Sequence, residues 1–299
     1  MQQHRVSVCI ATYKRPASLS RLLESLARLQ GFQSDEVEIL VVDNDATGSA
    51  GKVCESIAAN CKFRLRYEIE TEQNIARARN RGVTGASGTY CAFVDDDEWV
   101  SPSWLTAHVG MLEANHLSGT FGPVRPSFEV EPPRWIVEGG YFARNVLLPE
   151  GEIHLITGNA CLRRESLLKS PLFDEDLGLS GGEDTALFEW MSENGFSFGL
   201  CPEAEATEFI PEEKGTLSYL LRRAFRGGQA YVFLLFRRNR LKAVFRVLLG
   251  VAQLAILPCV SLLMLPFNRT KGFRLLLKAA QAAGKLSALS PLRVEEYKR

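Results

Sequence analysis

Three neighbouring carboxylates, Asp95, Asp96 and Asp97, directly follow an apolar run at residues 90–94. Adjacent carboxylates repel one another, so such a cluster destabilises a fold unless a positive charge is bound beside it. Carboxylate oxygens suit Mg²⁺ or Mn²⁺, and Mg²⁺ is usually held by one or two carboxylates together with substrate phosphates. A solvated acidic turn is the alternative, but the position at the end of an apolar strand favours a metal site.

A second acidic pair, Glu183 and Asp184, comes directly after Gly181 and Gly182 at the start of a predicted helix. An acidic pair at this position stabilises a helix simply by opposing the positive end of the helix dipole. The two glycines also leave the approach open to a substrate. The pattern alone therefore supports a helix cap and a substrate site equally.

Two clusters of arginines suit phosphate groups, because a guanidinium binds phosphate through paired hydrogen bonds. The first lies on a predicted helix, and the second lies on a basic helix near the C-terminus, where it could hold a diphosphate or an anionic lipid. Ordinary solvated charge is the alternative for both clusters. The residues are Arg77, Arg79 and Arg81 in the first cluster and Arg222, Arg223 and Arg226 in the second.

Apolar strands alternate with amphipathic helices in the first 115 residues, which predicts βαβ units and a mostly parallel sheet. In such α/β sheets the functional loops meet at the carboxyl ends of the strands. Thr12 and Tyr13, Asp43 and Asn44, and the three aspartates all fall at such ends. The predicted strands are residues 6–11, 38–42, 64–69, 90–94 and 155–162. The predicted helices are residues 17–29, 50–60, 75–83, 101–115 and 183–194, with a short one after residues 132–135. Asn74 is expected to cap the helix at 75–83, and Ser101 the helix at 101–115.

The net charge of zero hides a division of the chain. Residues 1–213 carry 18 Lys and Arg against 33 Asp and Glu, whereas residues 214–299 carry 17 against 2. The basic part contains an uncharged run at residues 247–268, long enough to cross a bilayer, although basic residues flank it on both sides. A single span, a re-entrant or interfacial helical pair bent at Pro258, and a buried hairpin all fit. Gly227 and Gly228 are expected to break the preceding helix.

Composition and missing motifs exclude several classes of protein. The chain has 299 residues, of which 46% are apolar and 23% charged, so a disordered protein is excluded. Neither G-x-G-x-x-G after the first strand nor a P-loop is present, which argues against dehydrogenases and P-loop NTPases. No nucleic acid partner is expected. Seven cysteines without C-x-x-C spacing and an N-terminus without a signal peptide predict a cytoplasmic location.

The chain resembles the family 2 glycosyltransferases, which have the GT-A fold, over about residues 5–210. The resemblance is carried by six motifs in the family's order: SVCIATYKRP (7–16), EILVVDND (38–45), EQNIARARNRG (72–82), FVDDDEW (93–99), TGNACLRRE (157–165) and GGEDTALFEW (181–190). The basic C-terminal part, including PEEKGTLSYLLRRAFRGGQ (211–229), is similar to bacterial exopolysaccharide enzymes of the succinoglycan ExoM type. The Q-x-x-R-W motif of processive synthases is missing, so a processive polymerase is not expected.

The resemblance implies a role for each matching residue. Asp184 is the catalytic base beside Glu183, Asp95 and Asp97 form the D-x-D motif with Asp97 in contact with Mg²⁺ or Mn²⁺, and Asp43 accepts the base N–H. Other implied contacts complete the donor and acceptor sites. The remaining donor-site residues are Ala11, Thr12, Tyr13, Arg15, Asn44, Arg79, Asp95 and Asp96, and the acceptor-site residues are Gly158, Asn159 and Trp135.

These expectations define a catalytic domain at residues 1–213 and a basic helical membrane-docking region at residues 214–299. The expected reaction is inverting transfer of a hexose, from a UDP-sugar, to a polyprenyl-diphosphate-linked saccharide at the cytoplasmic face of the inner membrane. A sugar-1-phosphate nucleotidyltransferase is one alternative, but it would need a glycine-rich loop after the first strand. A non-catalytic membrane scaffold is the other, and it would not need the retained acidic residues.

Overall fold

A seven-stranded sheet forms the centre of the computed structural model, which describes residues 5–144 and 155–288. Its first four strands are parallel, as the alternating pattern predicts, and have the spatial order β3-β2-β1-β4. Because these strands are parallel and in register, the carboxyl ends of β1, β2 and β4 lie together. The strands are β1 (Val6–Thr12), β2 (Val37–Asp43), β3 (Arg64–Ile69) and β4 (Tyr90–Val94).

Four helices connect or flank these strands: α1 (Pro16–Leu26), α2 (Gly51–Ala58), α3 (Ile75–Gly85) and α4 (Trp104–Ala114). Asn74 caps α3 as predicted, with its side-chain oxygen accepting from the backbone N–H of Arg77 at 3.1 Å. The expected cap of α4 at Ser101 is wrong, because this helix begins three residues later. The carbonyl of Pro102 accepts a hydrogen bond from the backbone N–H of Gln30, which holds this residue in the preceding turn.

The other strands complete the main sheet and form a second sheet of three strands in the order β5-β10-β7. The strand predicted near residue 155 begins at residue 159 and runs antiparallel to β4, with Asn159 opposite Val94. This pairing puts Gly158 beside the carboxyl end of β4. The strands are β5 (Glu98–Val100), β6 (Gly119–Phe121), β7 (Val124–Phe128), β8 (Asn159–Arg163), β9 (Phe198–Leu200) and β10 (Ala206–Ile210).

Three further helices cover this part of the sheet: α5 (Arg134–Gly139), α6 (Arg164–Leu168) and α7 (Glu183–Glu193). Single 3-10 turns lie at Glu175–Leu177 and Glu212–Lys214. Gly182 precedes α7 with a φ of +98°, a conformation that residues with a side chain rarely adopt. The glycine pair thus turns the chain so that Glu183 and Asp184 open the helix beside the sheet.

Apolar side chains fill both faces of the main sheet. On one face, β1 and β2 pack against the leucines of α1 and against α4, with Trp104 completely buried. On the other face, Phe93 contacts Phe173 edge to face, and Phe121 contacts Phe188 in the same way. This two-sided burial holds the strand ends in fixed positions.

Three helices form the C-terminal part: α8 (Leu217–Arg238), α9 (Arg240–Met264) and α10 (Arg269–Ser287). The expected break at Gly227 and Gly228 is wrong, since α8 runs through both glycines. A methyl group on Gly228 would collide with the carbonyl oxygen of Gln281, and one on Gly284 would collide with that of Phe225. The glycines therefore permit close packing of α8 on α10, which outweighs their low helix propensity.

A helical pair divided at Pro258, which was one of the three alternatives for the uncharged run, is not what the structure shows. Helix α9 continues through this proline, and the chain turns at residues 265–268 before α10. Packing on both sides of the proline holds the helix together: Val247 and Ser261 are buried, and the Ser261 hydroxyl donates to the Gly272 carbonyl at 2.8 Å. Among the described residues, α9 is the one helix long and apolar enough to cross a membrane.

Candidate active site

The three aspartates lie at the carboxyl ends of β1 and β4, as the sequence predicts. Thr12 Oγ1 donates to Asp96 at 2.8 Å, and Arg15 donates to Asp96 at 3.0 Å and to Asp97 at 3.2 Å. Burial raises the pKa of Asp96 to about 6, against the opposing effect of the Arg15 charge. Asp96 is thus a buried link between β1 and the aspartate loop, whereas Asp95 is about a third exposed.

Arg79 joins the two acidic motifs of the sequence. Its guanidinium forms an ion pair with Glu183 and a second one with Asp95 at 3.2 Å. The α3 helix presents Arg79 at this point because Asn80, the next residue, exchanges two hydrogen bonds of 2.9 Å with the backbone of Phe173. The aspartate loop and the start of α7 therefore belong to one site.

The other arginines of the first cluster lie outside this site. Arg77 pairs with Glu72 and Glu175, and Arg81 pairs with Glu68 on the surface. The structure thus supports surface ion pairing for these two arginines and a place in the site for Arg79.

Asp184 is held at the first turn of α7 by backbone donors. One carboxylate oxygen accepts from the N–H of Thr185 at 2.7 Å, and the other accepts from the N–H of Thr157 at 3.4 Å. Gly158 comes next along the chain and lies against the aspartate loop. A methyl group here would lie 3.1 Å from Asp95 Oδ2 and 3.0 Å from Glu98 Oε1, so a side chain at this position would crowd both carboxylates.

A groove of about 880 Å³ begins at Asp184 and runs between α7 and the C-terminal helices. Its α8 wall is a single helical stripe that is basic at both ends and apolar between them. This stripe consists of Arg223, Arg226, Gly227, Ala230, Tyr231, Leu234, Leu235 and Arg238. Two of the three predicted arginines therefore line the groove, whereas Arg222 contacts Ser218 on its own helix.

Four charged residues that the sequence analysis missed surround the aspartates. Arg144 pairs with Glu208 and lies 3.7 Å from Asp95, and Lys214 lies 3.2 Å from Asp97. Burial raises the pKa of Glu98 well above its ordinary value, and its Oε1 has no hydrogen-bond partner in the described part of the chain. Only Glu98 could have been found from the sequence, because it directly follows the three aspartates. Arg144, Glu208 and Lys214 come from distant segments.

The oxygen atoms of this cluster suit a divalent cation whose coordination shell is completed by a bound substrate. Asp95 and Asp97 offer carboxylate oxygens, which Mg²⁺ and Mn²⁺ prefer, and the glycine at 158 keeps the space beside Asp95 open. Within residues 5–144 and 155–288, no group of three or more His, Cys, Asp or Glu side chains is arranged as a complete metal site. Such a cation would therefore need further oxygens, from water or from a bound diphosphate.

Two residues predicted to bind the donor, Asp43 and Asn44, have mainly structural contacts. Asp43 is completely buried and accepts from the N–H groups of Asp45 and Ala50 and from the Tyr67 hydroxyl. Asn44 ties the end of β2 to residues 70–74 through three hydrogen bonds. Both residues shape the loop at the end of β2.

Two other donor residues border the cleft. Ala11 lines a small pocket together with Arg79 and Asp95. Tyr13 follows at the end of β1, with the Lys14 ammonium 4.9 Å from its ring centroid. Their position agrees with a ligand bound over the carboxyl end of β1.

Two predicted acceptor residues do not face the groove. Asn159 is completely buried, and its amide binds Trp104, His108 and two backbone carbonyls. Trp135 stacks on Phe273 of α10 with a centroid distance of 4.0 Å. Their side chains therefore position β8 and hold α5 against the C-terminal helices; sequence spacing could not reveal these partners.

Comparisons with known proteins agree with this geometry. Residues 7–170 match the family description "Glycosyl transferase family 2". The chain is 32% identical to "Succinoglycan biosynthesis protein ExoM" of Rhizobium meliloti (strain 1021) over 98% of this chain and 95% of that protein. The chain belongs to glycosyltransferase family 2, which argues against the nucleotidyltransferase alternative.

Solved structures show the same fold. A mannosyltransferase from Pyrobaculum calidifontis, solved with GDP-Man and Mn²⁺, aligns over 96% of this chain and 88% of its own, with a TM-score of 0.67 and 18% identity. TarS residues 1–349 of S. aureus, solved with UDP, align over 98% of this chain and 95% of their own, with a TM-score of 0.57 and 17% identity. The fold is therefore GT-A, with a mixed but mostly parallel sheet.

Proposed function

We propose that this protein is an inverting, metal-dependent hexosyltransferase that uses a nucleotide sugar, a UDP-hexose, in the synthesis of a bacterial exopolysaccharide or other cell-surface polysaccharide. The observation that carries the proposal is the position of Arg79 between Asp95 and Glu183, which brings the two acidic motifs into one site. The relatives support the donor class, because the solved neighbours were bound to UDP and to GDP-Man. The similarity to ExoM supports the polysaccharide role.

In the proposed reaction, Asp184 is the general base. The acceptor hydroxyl gives its proton to the Asp184 carboxylate while its oxygen bonds to the anomeric carbon. The bond from that carbon to the diphosphate breaks on the opposite side, and its electron pair leaves with UDP. Asp184 suits this role because it borders the groove and backbone N–H groups hold its carboxylate in place. A positioned base typically contributes 10²–10⁴-fold to such a rate.

Basic and acidic residues divide the work at the donor. Asp95 and Asp97 would hold Mg²⁺ or Mn²⁺, and a bound cation would stabilise the negative charge that develops on the departing diphosphate. Arg15 and Lys214 contact Asp97, and Arg79 contacts Asp95. These three basic side chains therefore hold the two carboxylates in position.

The proposed acceptor is a saccharide linked to a polyprenyl diphosphate. The groove suits such an amphipathic molecule because Arg223 and Arg226 lie at one part of its wall and Leu234 and Leu235 at another. Guanidinium groups bind diphosphates, and the apolar stripe can cover a lipid chain. We place the enzyme at the cytoplasmic face of the inner membrane, with residues 214–299 docked on anionic lipid.

A transfer assay tests the proposed function. Purified protein is given UDP-hexoses, Mn²⁺ or Mg²⁺, and membrane extract as the source of acceptor, and sugar incorporation and UDP release are measured. We expect Asp184→Asn to lower transfer by about 10²–10⁴-fold while UDP binding persists. Glu165→Gln, which changes an exposed acid on α6, is the control. Full activity of Asp184→Asn would contradict the role of Asp184 as the base. Absence of UDP release by the unchanged protein would support the scaffold alternative.

A further inference from the structure

One face of α9 is apolar and exposed along the length of the helix. Its side chains include Leu241, Phe245, Leu248, Ile256 and Leu263, and the exposed fraction of Phe245 is 64%. The opposite face, with Val247, Gly250 and Ser261, is buried. Soluble monomers rarely expose a continuous apolar surface of this size unless it binds a partner.

Helix α10 runs antiparallel to α9 on the buried side. The Ser261 hydroxyl donates to the Gly272 carbonyl at 2.8 Å, and the Lys285 ammonium donates to Gln253 at 3.4 Å. Lys278 lies between the two α10 contacts, so it is level with the middle of the uncharged run. It is exposed, as is Arg274 in the same stretch of α10.

These charges oppose a membrane-spanning orientation of α9. A span would carry Lys278, Arg274 and the Lys285–Gln253 contact into the hydrocarbon region, where cationic side chains are costly. A span would also separate two basic ends, although Lys and Arg favour the cytoplasmic side. A helix in the plane of the surface leaves both ends in one anionic headgroup layer. The basic residues are Arg240, Lys242 and Arg246 at one end and Arg269 and Lys271 at the other.

We propose that α9 lies in the plane of an anionic membrane, with its exposed face inserted among the lipids and α10 behind it, away from the bilayer. This inference deepens the membrane docking proposed above and is independent of the donor chemistry. Lys242, Phe245 and Arg246 line the groove and are themselves exposed on α9. The groove that begins at Asp184 thus opens beside the bilayer, and an acceptor lipid can stay in the membrane while its sugar reaches the base.

Two cysteine positions at the same level of the helix pair test this orientation. Cys259 is exposed on α9, Cys61 is half-buried, and the other five cysteines are buried. The full-length Cys61→Ser variant therefore reports on the exposed face of α9. Adding Cys259→Ser and Lys278→Cys moves the reporter to α10. Both variants are treated with a charged maleimide, alone and with sealed vesicles of phosphatidylethanolamine and phosphatidylglycerol.

We expect vesicles to slow labelling of Cys259 about tenfold and labelling of Lys278→Cys by less than about twofold, because an in-plane helix buries only one face. Protection of both thiols, relieved by detergent, would overturn the proposal in favour of a spanning or re-entrant pair. Unchanged labelling of both would show that α9 does not dock at all. Vesicles of phosphatidylcholine should protect Cys259 less, and equal protection would remove the role given to the basic ends. UDP release in solution tests the proposed enzyme separately.

Discussion

The acidic and basic parts of the chain are stabilised in different ways. In the catalytic part, charged side chains are paired and largely buried, as in Arg79 with Glu183 and Arg144 with Glu208. In the C-terminal part, α8 and α10 approach through glycines, while α9 leaves apolar side chains exposed. The first arrangement fixes charges at a site, and the second leaves a surface that needs an external partner. The difference fits the proposed function, in which one chain acts on a polar donor while it is docked on lipid.

The largest predicted effect concerns the buried charges. Arg79→Met would leave Asp95 and Glu183 without their shared cation, and removing one member of a buried ion pair costs about 3–5 kcal/mol. We expect a loss of this size in the free energy of unfolding, measured by urea denaturation. The combined Arg79→Met and Glu183→Gln variant should recover part of it, because one uncompensated charge is then removed.

Arg77→Met is the matched control, since Arg77 lies two residues away on the same helix but pairs on the surface. Exposed pairs contribute about 0–1 kcal/mol, so little change is expected. Equal losses of unfolding free energy in the two variants would contradict the buried ion pairs assigned to Arg79.

The second prediction concerns pH and the catalytic part alone. His108 is completely buried, and burial lowers its pKa from 6.5 to about 4. The unfolded chain therefore takes up a proton first, and stability that is present above pH 6.5 is lost as the pH falls towards 4. The pKa difference corresponds to about 3 kcal/mol.

Urea unfolding at pH 7 and pH 4 measures this loss, with His108→Gln as the comparison. Gln can bond to Asn159 but cannot take up a proton, so the variant should lose less stability on acidification. An identical pH dependence in both proteins would assign the acid sensitivity to other groups.

The sequence predicted the elements that local pattern determines. Strands β1, β2 and β4 match the apolar runs, and the cap at Asn74 matches the hydrogen bond to Arg77. The convergence of Thr12 with the aspartates was predicted as well, because both follow the carboxyl ends of strands in a parallel sheet. These features depend on neighbours in the sequence or on the general geometry of parallel sheets.

The sequence could not predict what long-range packing determines. Gly228 was expected to end a helix, but its missing side chain serves contact with a helix more than 50 residues away. The resemblance implied acceptor-site roles for Asn159 and Trp135, yet their side chains bind core partners. Arg144, Lys214 and Glu208 joined the site from segments without a local motif. Their contribution is visible only when the chain is folded.

The smallest predicted effect separates the two glycines of α8. Gly228→Ala should destabilise the helix pair by about 1–3 kcal/mol, because the new methyl group meets the α10 backbone at Gln281. Gly227→Ala meets no atom within 4 Å and should stabilise α8 by up to about 1 kcal/mol through better helix propensity. Thermal unfolding of the two variants measures these opposite shifts. Since both changes add the same methyl group to the same helix, shifts of equal sign would contradict close α8–α10 contact.

Unfolding confined to α8–α10, with UDP release preserved in the Gly228→Ala variant, would show that the catalytic part and the C-terminal part are stabilised separately.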